Sequence, residues 1–128
     1  MSPMYVDLEV GKDLDGPFET LNLELDTGSD DSALPRSFLK GLGVRPLGYD
    51  LYELADGRRV RRQYGMVFLR LRGEIGATRV IFCGPRDAPV LGHIALEMLG
   101  LTLDVKRGQL RKYLRQMIST RRARPKAA

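Results

Sequence analysis

The sequence predicts a mostly β domain with one or two short helices, compatible with a small barrel or sandwich. Three observations predict it. Apolar and polar residues alternate with a period of two near the start of the chain. An Asp-Gly pair separates two strand-like runs near the middle. The two helical stretches are short, and each ends at a glycine. The 128 residues suit one domain, which would bury about two-thirds of the surface its unfolded chain exposes.

Each element follows from its residues. In Met4–Val10, Met4, Val6, Leu8 and Val10 alternate with Tyr5, Asp7 and Glu9, the pattern of a half-buried strand. After the turn cluster Lys12–Pro17, alternation resumes over Phe18–Asp26, with Leu21, Leu23 and Leu25 on one face. Asp26-Thr27-Gly28-Ser29-Asp30-Asp31 breaks it with residues whose side chains bond to nearby backbone. Ser32-Ala33-Leu34 reads as a short strand. Pro35–Leu42 reads as a short helix, with Pro at its first position and Gly43 past its end. Tyr49–Leu54 and Arg59–Tyr64 flank Ala55-Asp56-Gly57-Arg58 as a long hairpin, and Gly65–Arg72 continues as strand. Arg79–Cys83 reads as a brief, fully buried strand. Ala88–Gly92 leads into a helix over Ile94–Leu99, capped by Gly100. Leu101–Val105 and Gln109–Leu110 form a closing hairpin around Lys106-Arg107-Gly108.

The net charge of +5 is unevenly placed. From Arg111 onward there are seven basic residues and no acidic ones, leaving residues 1–110 with a net of −2. Residues 1–110 therefore read as the domain. Residues 111–128 read as a basic C-terminal tail, helical or disordered, in which Leu110, Leu114, Met117 and Ile118 keep helical spacing. Such a tail is by default a solvated end, and nucleic acid or an anionic membrane is a weaker possible partner through it. One Cys and one His exclude a disulfide framework and a conventional zinc site, so no metal and no other cofactor is expected. No apolar run has the length to span a bilayer, and the first ten residues lack a signal-peptide layout. The expectation is a soluble, cytoplasmic protein. Cys83 reads as an inert core thiol, since no local signature supports a Cys83–His93–Asp104 nucleophilic arrangement.

The segment that carries chemistry is Leu23-Glu24-Leu25-Asp26-Thr27-Gly28-Ser29. An apolar strand delivers a carboxylate to a tight turn, and Gly28 lets backbone N–H groups approach it. Taken alone, the triplet also fits an Asx turn ending a strand. In order along the chain come Asp26-Thr27-Gly28, Asp30-Asp31, Arg62-Gln63-Tyr64, Val90-Leu91-Gly92 and Leu99-Gly100-Leu101-Thr102-Leu103-Asp104. Over nearly all of residues 4–110 this set resembles the single-domain retroviral-type (retropepsin-like) aspartic proteases, small stand-alone prokaryotic members above all. The resemblance implies a small closed β-barrel of the acid-protease type with a flap hairpin at Leu54–Arg58.

It also implies chemistry. Aspartic proteolysis uses two carboxylates about 3 Å apart that share one proton. This chain has one Asp-Thr-Gly, so the resemblance implies a homodimeric endopeptidase with Asp26, Thr27 and Gly28 catalytic. Peptide or protein substrate would lie against Glu24, Ser29, Asp30, Asp31, Ala55, Asp56, Gly57 and Val90, with Ala33, Asp87 and Ala88 also near the cleft walls. The acidic residues suggest basic groups flanking an apolar scissile pair. Three departures bear on pH. Ser29 stands where viral enzymes carry Ala, and a hydroxyl donating to the ionised carboxylate favours an acidic working pH. Asp56 makes the flap tip acidic, and so a candidate for pH-dependent closure. His93 replaces an Arg that pairs with the acid corresponding to Asp30; a protonated His93 would make that pairing in acid, strengthening dimerisation or activity below about pH 6. The alternative function is a catalytically silent dimerisation or peptide-binding module, tethered to a polyanion by its tail.

Overall fold

The computed structural model describes residues 3–117. Strands β1 (Met4–Gly11) and β2 (Phe18–Leu25) form an antiparallel pair in continuous register, Met4 opposite Leu25 through Gly11 opposite Phe18. The alternation read from the sequence sets their faces: Val6, Leu8, Val10, Leu23 and Leu25 are buried, and the polar residues between them are not. Strand β3 (Ser32–Leu34) follows, then helix α1 (Arg36–Leu42) and strand β4 (Gly48–Glu53). Pro35 lies one residue before the helix rather than at its first position, and Gly43 closes it in the left-handed conformation.

The longest strand is β5 (Arg59–Leu71), which pairs with β4 on one side and with β6 (Glu74–Phe82) on the other. Strand β7 (Val90–Leu91) precedes helix α2 (His93–Leu99), capped by Gly100 as expected. Strands β8 (Leu101–Asp104) and β9 (Gln109–Lys112) make a separate two-stranded sheet. The main sheet runs β1-β2-β7-β3-β6-β5-β4, and pairing of Glu9, Val10 and Gly11 with Arg70, Leu69 and Phe68 joins β1 to β5. Six strands thereby close into a ring with β4 outside it. Val67, Leu69, Val80, Phe82, Leu91, Leu96 and Leu99 complete the core inside.

Two readings need correction. Strand β6 is not a brief, fully buried Arg79–Cys83 segment. It starts at Glu74 and alternates, with Thr78, Val80 and Phe82 buried and Arg79 and Ile81 half-buried. It begins early because Arg72 and Gly73 form a two-residue hairpin loop with positive φ at both positions (54° and 78°). That geometry matches the twist of the flanking strands and is rarely signalled by Arg-Gly. The tail is not helical where it is described: Arg111 and Lys112 belong to β9, and residues 113–117 have no regular structure. Tyr113 and Arg115 instead turn back to the end of α2. Tyr113 Oη donates to the Glu97 carbonyl at 3.2 Å, and Arg115 donates to the Glu97 and Met98 carbonyls. These bonds satisfy carbonyls that a helix terminus leaves open. The rest of the expected tail helix, from residue 118, lies outside the described residues.

Candidate active site

The Asp26-Thr27-Gly28 turn leaves β2 and stands exposed. Its backbone is fixed from two sides. Asp26 N–H donates to the Leu91 carbonyl at 3.0 Å, and Ser29 N–H donates to the Asp26 carbonyl at 3.1 Å. Gly28 N–H donates to Asp26 Oδ1 at 3.0 Å, so the turn orients the carboxylate as the sequence suggested. The following loop is tied to the start of α2: His93 N–H donates to the Ser29 carbonyl at 2.9 Å, and Ile94 N–H to the Asp30 carbonyl at 3.1 Å. Gly92 N–H reaches the buried Ser32 Oγ at 2.9 Å. Only glycine fits at position 92, because a Cβ there would lie 2.5 Å from the Asp31 carbonyl oxygen and 2.7 Å from that of Asp30.

Two concavities meet at this turn. A cleft of about 890 Å³ is lined by Asp26, Gly28, Ser29, Asp30, Asp31, Ala33 and Val90 on one side and by the β4–β5 hairpin and the segment 85–88 on the other. A smaller groove of about 270 Å³ is lined by Thr27, by His93, Leu96 and Glu97 of α2, and by Leu101, Thr102, Leu103 and Val105. Successive residues of β8 point to opposite faces, so a groove touching 101, 102 and 103 runs along the edge of that strand. Asp26 and Gly28 face the cleft and Thr27 faces the groove. The turn straddles both.

The structure gathers most of the expected substrate-facing residues. Ser29, Asp30, Asp31, Ala55 and Val90 line the cleft, with Ala33, Asp87 and Ala88. Asp56 and Gly57 sit at the exposed hairpin tip, outside the lining, which Leu54, Ala55 and Arg58 complete. Glu24 does not line the cleft, because it lies on β2 between the buried Leu23 and Leu25 and so on the opposite face. Tyr52, Val60, Arg62, Ile81 and Arg86 line it without having been singled out for that role, since only the hairpin and loop geometry brings them there. Arg79 pins the hairpin base, reaching Asp50 Oδ2 at 2.8 Å and Tyr52 Oη at 3.3 Å and stacking 3.5 Å from the Tyr64 ring centre.

The electrostatics revise the pH reading at three places. Ser29 Oγ donates to the Asp31 carbonyl at 2.9 Å, so its hydroxyl braces the loop rather than the Asp26 carboxylate. Asp56 accepts the Arg58 N–H at 3.0 Å and the Arg58 Nε at 2.8 Å, and these bonds hold its carboxyl below the usual carboxylate range. The hairpin tip therefore keeps its charge through mild acid. Burial in the cleft, by contrast, raises the Asp31 carboxyl above its ordinary value, partly offset by Arg79. Cys83 is buried and its thiol is pushed up to about 11, chiefly by that burial and further by the Asp87 charge. The Cys83–His93–Asp104 arrangement is absent, since His93 is bonded to Asp30 and Glu97 and Asp104 to Arg107.

His93 pairs with Asp30, as expected: Nε2 lies 2.9 Å from Asp30 Oδ1, while Nδ1 lies 3.3 Å from Glu97 Oε1. The bond to Asp30, and then that to Glu97, raise the imidazole above its ordinary 6.5. The pairing therefore extends above the pH 6 threshold read from the sequence. A group raised on folding contributes stability that is full below the unfolded value and is lost as pH rises through the folded one. His93→Gln should accordingly lower the melting temperature most in mild acid, with the difference from wild type shrinking above 6.5. Thermal melts from about pH 5 to pH 9 check this, and a pH-independent difference contradicts it.

These elements define a fold class, the retropepsin-like fold. EIAV protease, solved with a bound inhibitor, superimposes with a TM-score of 0.59 and 23% identity over 77% of this chain and 89% of that one. A retropepsin-like aspartic protease from Rickettsia conorii matches with a TM-score of 0.48 and 18% identity, over 81% of this chain and 89% of that one. No protein-family model and no curated protein matches the chain. Among the described residues no helix is long and apolar enough to cross a membrane, and no group of three His, Cys, Asp or Glu side chains is placed to hold a metal ion.

Proposed function

We propose that the chain is an aspartic endopeptidase, active as a homodimer, in which a water held between Asp26 and its symmetry mate attacks the peptide bond. One observation carries this reading: the exposed Asp26-Thr27-Gly28 turn lies between a cleft of about 890 Å³ and an apolar groove along β8, whose one partner strand among the described residues is β9. The cleft presents the carboxylate to substrate. The groove offers the edge of β8 to a second copy, and a two-fold relation there brings the two turns together. A two-stranded sheet such as β8–β9 is marginal alone and gains from such pairing.

The chemistry then needs nothing beyond the two carboxylates. The ionised Asp26 acts as general base on the water, and the protonated partner carboxyl polarises the scissile carbonyl. Two carboxylates so close share one proton, because both cannot ionise at once. Backbone groups of the β4–β5 hairpin tip would pair with the substrate backbone and exclude water above it.

Incubation of the protein and of its Asp26→Asn variant with an unstructured protein, at acidic and neutral pH with and without pepstatin, tests the proposal. Cleavage by the wild type alone, blocked by pepstatin, supports it; no cleavage by the wild type leaves the silent binding module instead. The dimer is tested separately. Val105 is 57% exposed and lines the groove, so Val105→Asp should preserve the fold while setting like charges against each other across the two-fold. Sedimentation equilibrium should show self-association weakened about tenfold or more, and unchanged association contradicts the groove assignment.

A further inference from the structure

One wall of the cleft, the segment 83–89 between β6 and β7, lies outside the sheet ladders. A side-chain clasp holds it. Arg62 of β5 donates from Nε to Asp87 Oδ2 at 2.6 Å and from Nη2 to Asp87 Oδ1 at 3.0 Å. Gly84 N–H donates to the same Oδ2 at 2.6 Å, and Asp87 N–H closes the turn onto the Gly84 carbonyl at 3.1 Å. The two side chains are 21% and 17% exposed, unlike the solvated pairs elsewhere on the surface. The guanidinium rests against Gly84, where a Cβ would sit 2.7 Å from Nε and 2.8 Å from Cζ and Nη2. Ion-pair geometry and the glycine contact are separate observations, and both join the wall to the same hairpin.

We propose that this clasp couples the cleft wall 83–89 to the β4–β5 hairpin, so that the wall follows the hairpin as substrate enters, with Arg62 a positioning residue for that substrate. A bidentate, partly buried Arg–carboxylate pair is directional and holds its geometry, where a surface pair would not. Arg79 holds the base of the hairpin through Asp50 and Tyr52, and the clasp adds the link to the wall. Residues 55–59 are exposed, and β4 is an edge strand, so without the clasp this part of the cleft is free to fluctuate independently of the wall. Loss of the coupling should loosen the ground-state complex more than it slows the chemistry at Asp26. That consequence for turnover rests on the peptidase reading; the coupling itself does not.

Cys83 supplies a reporter, because it is 8% exposed and adjoins Gly84, so an aromatic disulfide reagent reaches it only when the wall opens. Three variants are compared with wild type: Asp87→Asn, which removes the charge; Arg62→Lys, which keeps the charge but loses the fork; and Gly84→Ala, which keeps both partners but displaces the guanidinium. Each should raise the Cys83 labelling rate at least about tenfold and speed amide exchange in the distant hairpin tip. Each should raise KM about fivefold or more while kcat stays within about twofold. Faster labelling with hairpin exchange at the wild-type rate overturns the coupling, and so does a fall in kcat at constant KM, the sign of a merely unfolded fraction. A wild type without peptidase activity would overturn the proposed function, while labelling and exchange would still decide the coupling.

Discussion

Asp26→Asn should abolish peptide hydrolysis, lowering turnover by at least about 10³-fold, and should leave the fold intact. The two halves of that expectation come from different parts of the structure. Asp26 is exposed at the mouth of the cleft, and among the described residues the one hydrogen bond its carboxylate accepts comes from Gly28 N–H at 3.0 Å, a bond an amide oxygen can also accept. Its backbone bonds to Leu91 and Ser29 do not involve the side chain. The variant therefore keeps its scaffold and loses the group proposed to take a proton from water. Circular dichroism with a fluorogenic peptide assay reads both halves. Residual turnover above a few per cent would assign the chemistry elsewhere.

Gly92→Ala should have the largest effect on the scaffold, destabilising the protein by about 3 kcal/mol or more. The added methyl would meet the Asp30 and Asp31 carbonyl oxygens at 2.7 and 2.5 Å, and both are backbone atoms. Neither can swing aside as a flexible side chain would. The Ser29–Asp31 loop must shift away from α2, which strains the bonds from His93 N–H and Ile94 N–H and the Gly92 bond to Ser32 Oγ. Those bonds set where the Asp26-Thr27-Gly28 turn points. Activity should fall with stability, and urea denaturation measures the latter directly. A variant within about 0.5 kcal/mol of wild type would show that the loop yields more readily than close packing allows.

The fold was legible where side-chain periodicity and backbone chemistry agreed. Leu21, Leu23 and Leu25, the Asp56-Gly57 turn, and the glycines after α1 and α2 each announce an element through one local rule. Strand β6 was half missed because its first turn uses Arg72 at φ 54°, a conformation that tertiary pairing with β5 imposes and local preference does not favour. In the site, Asp26-Thr27-Gly28 and Val90-Leu91-Gly92 were readable as ordered motifs, and the structure brings them together through the Asp26–Leu91 bond. The direction of the Ser29 hydroxyl, the Arg58 bonds that hold Asp56 charged, and the Arg62–Asp87 clasp were not readable. Ser29 and Asp56 depend on which of several nearby partners a short side chain selects. The clasp joins residues 25 apart in sequence and exists only once β5 and the 83–89 wall are in place.

The distribution of charge also acquires a place in the fold. Arg111 and Lys112 enter β9, with Lys112 Nζ reaching Glu74 Oε1 at 2.5 Å, and Arg115 satisfies the end of α2. Lys112 and Arg115 have structural partners, so the basic stretch is not wholly a free polyanion-binding arm. Leu114 and Met117, each 90% exposed, stand beside them.

The central claim is that each catalytic centre takes one aspartate from each of two chains, and subunit mixing tests it most directly. Wild-type protein at fixed concentration is equilibrated with increasing Asp26→Asn protein, and peptide cleavage is followed. If centres are shared, wild-type chains are drawn into mixed pairs with one carboxylate, and a tenfold excess of variant should leave about one-tenth of the activity. Activity that stays constant across the titration would mean that a single chain hydrolyses peptides unaided, and would contradict the account.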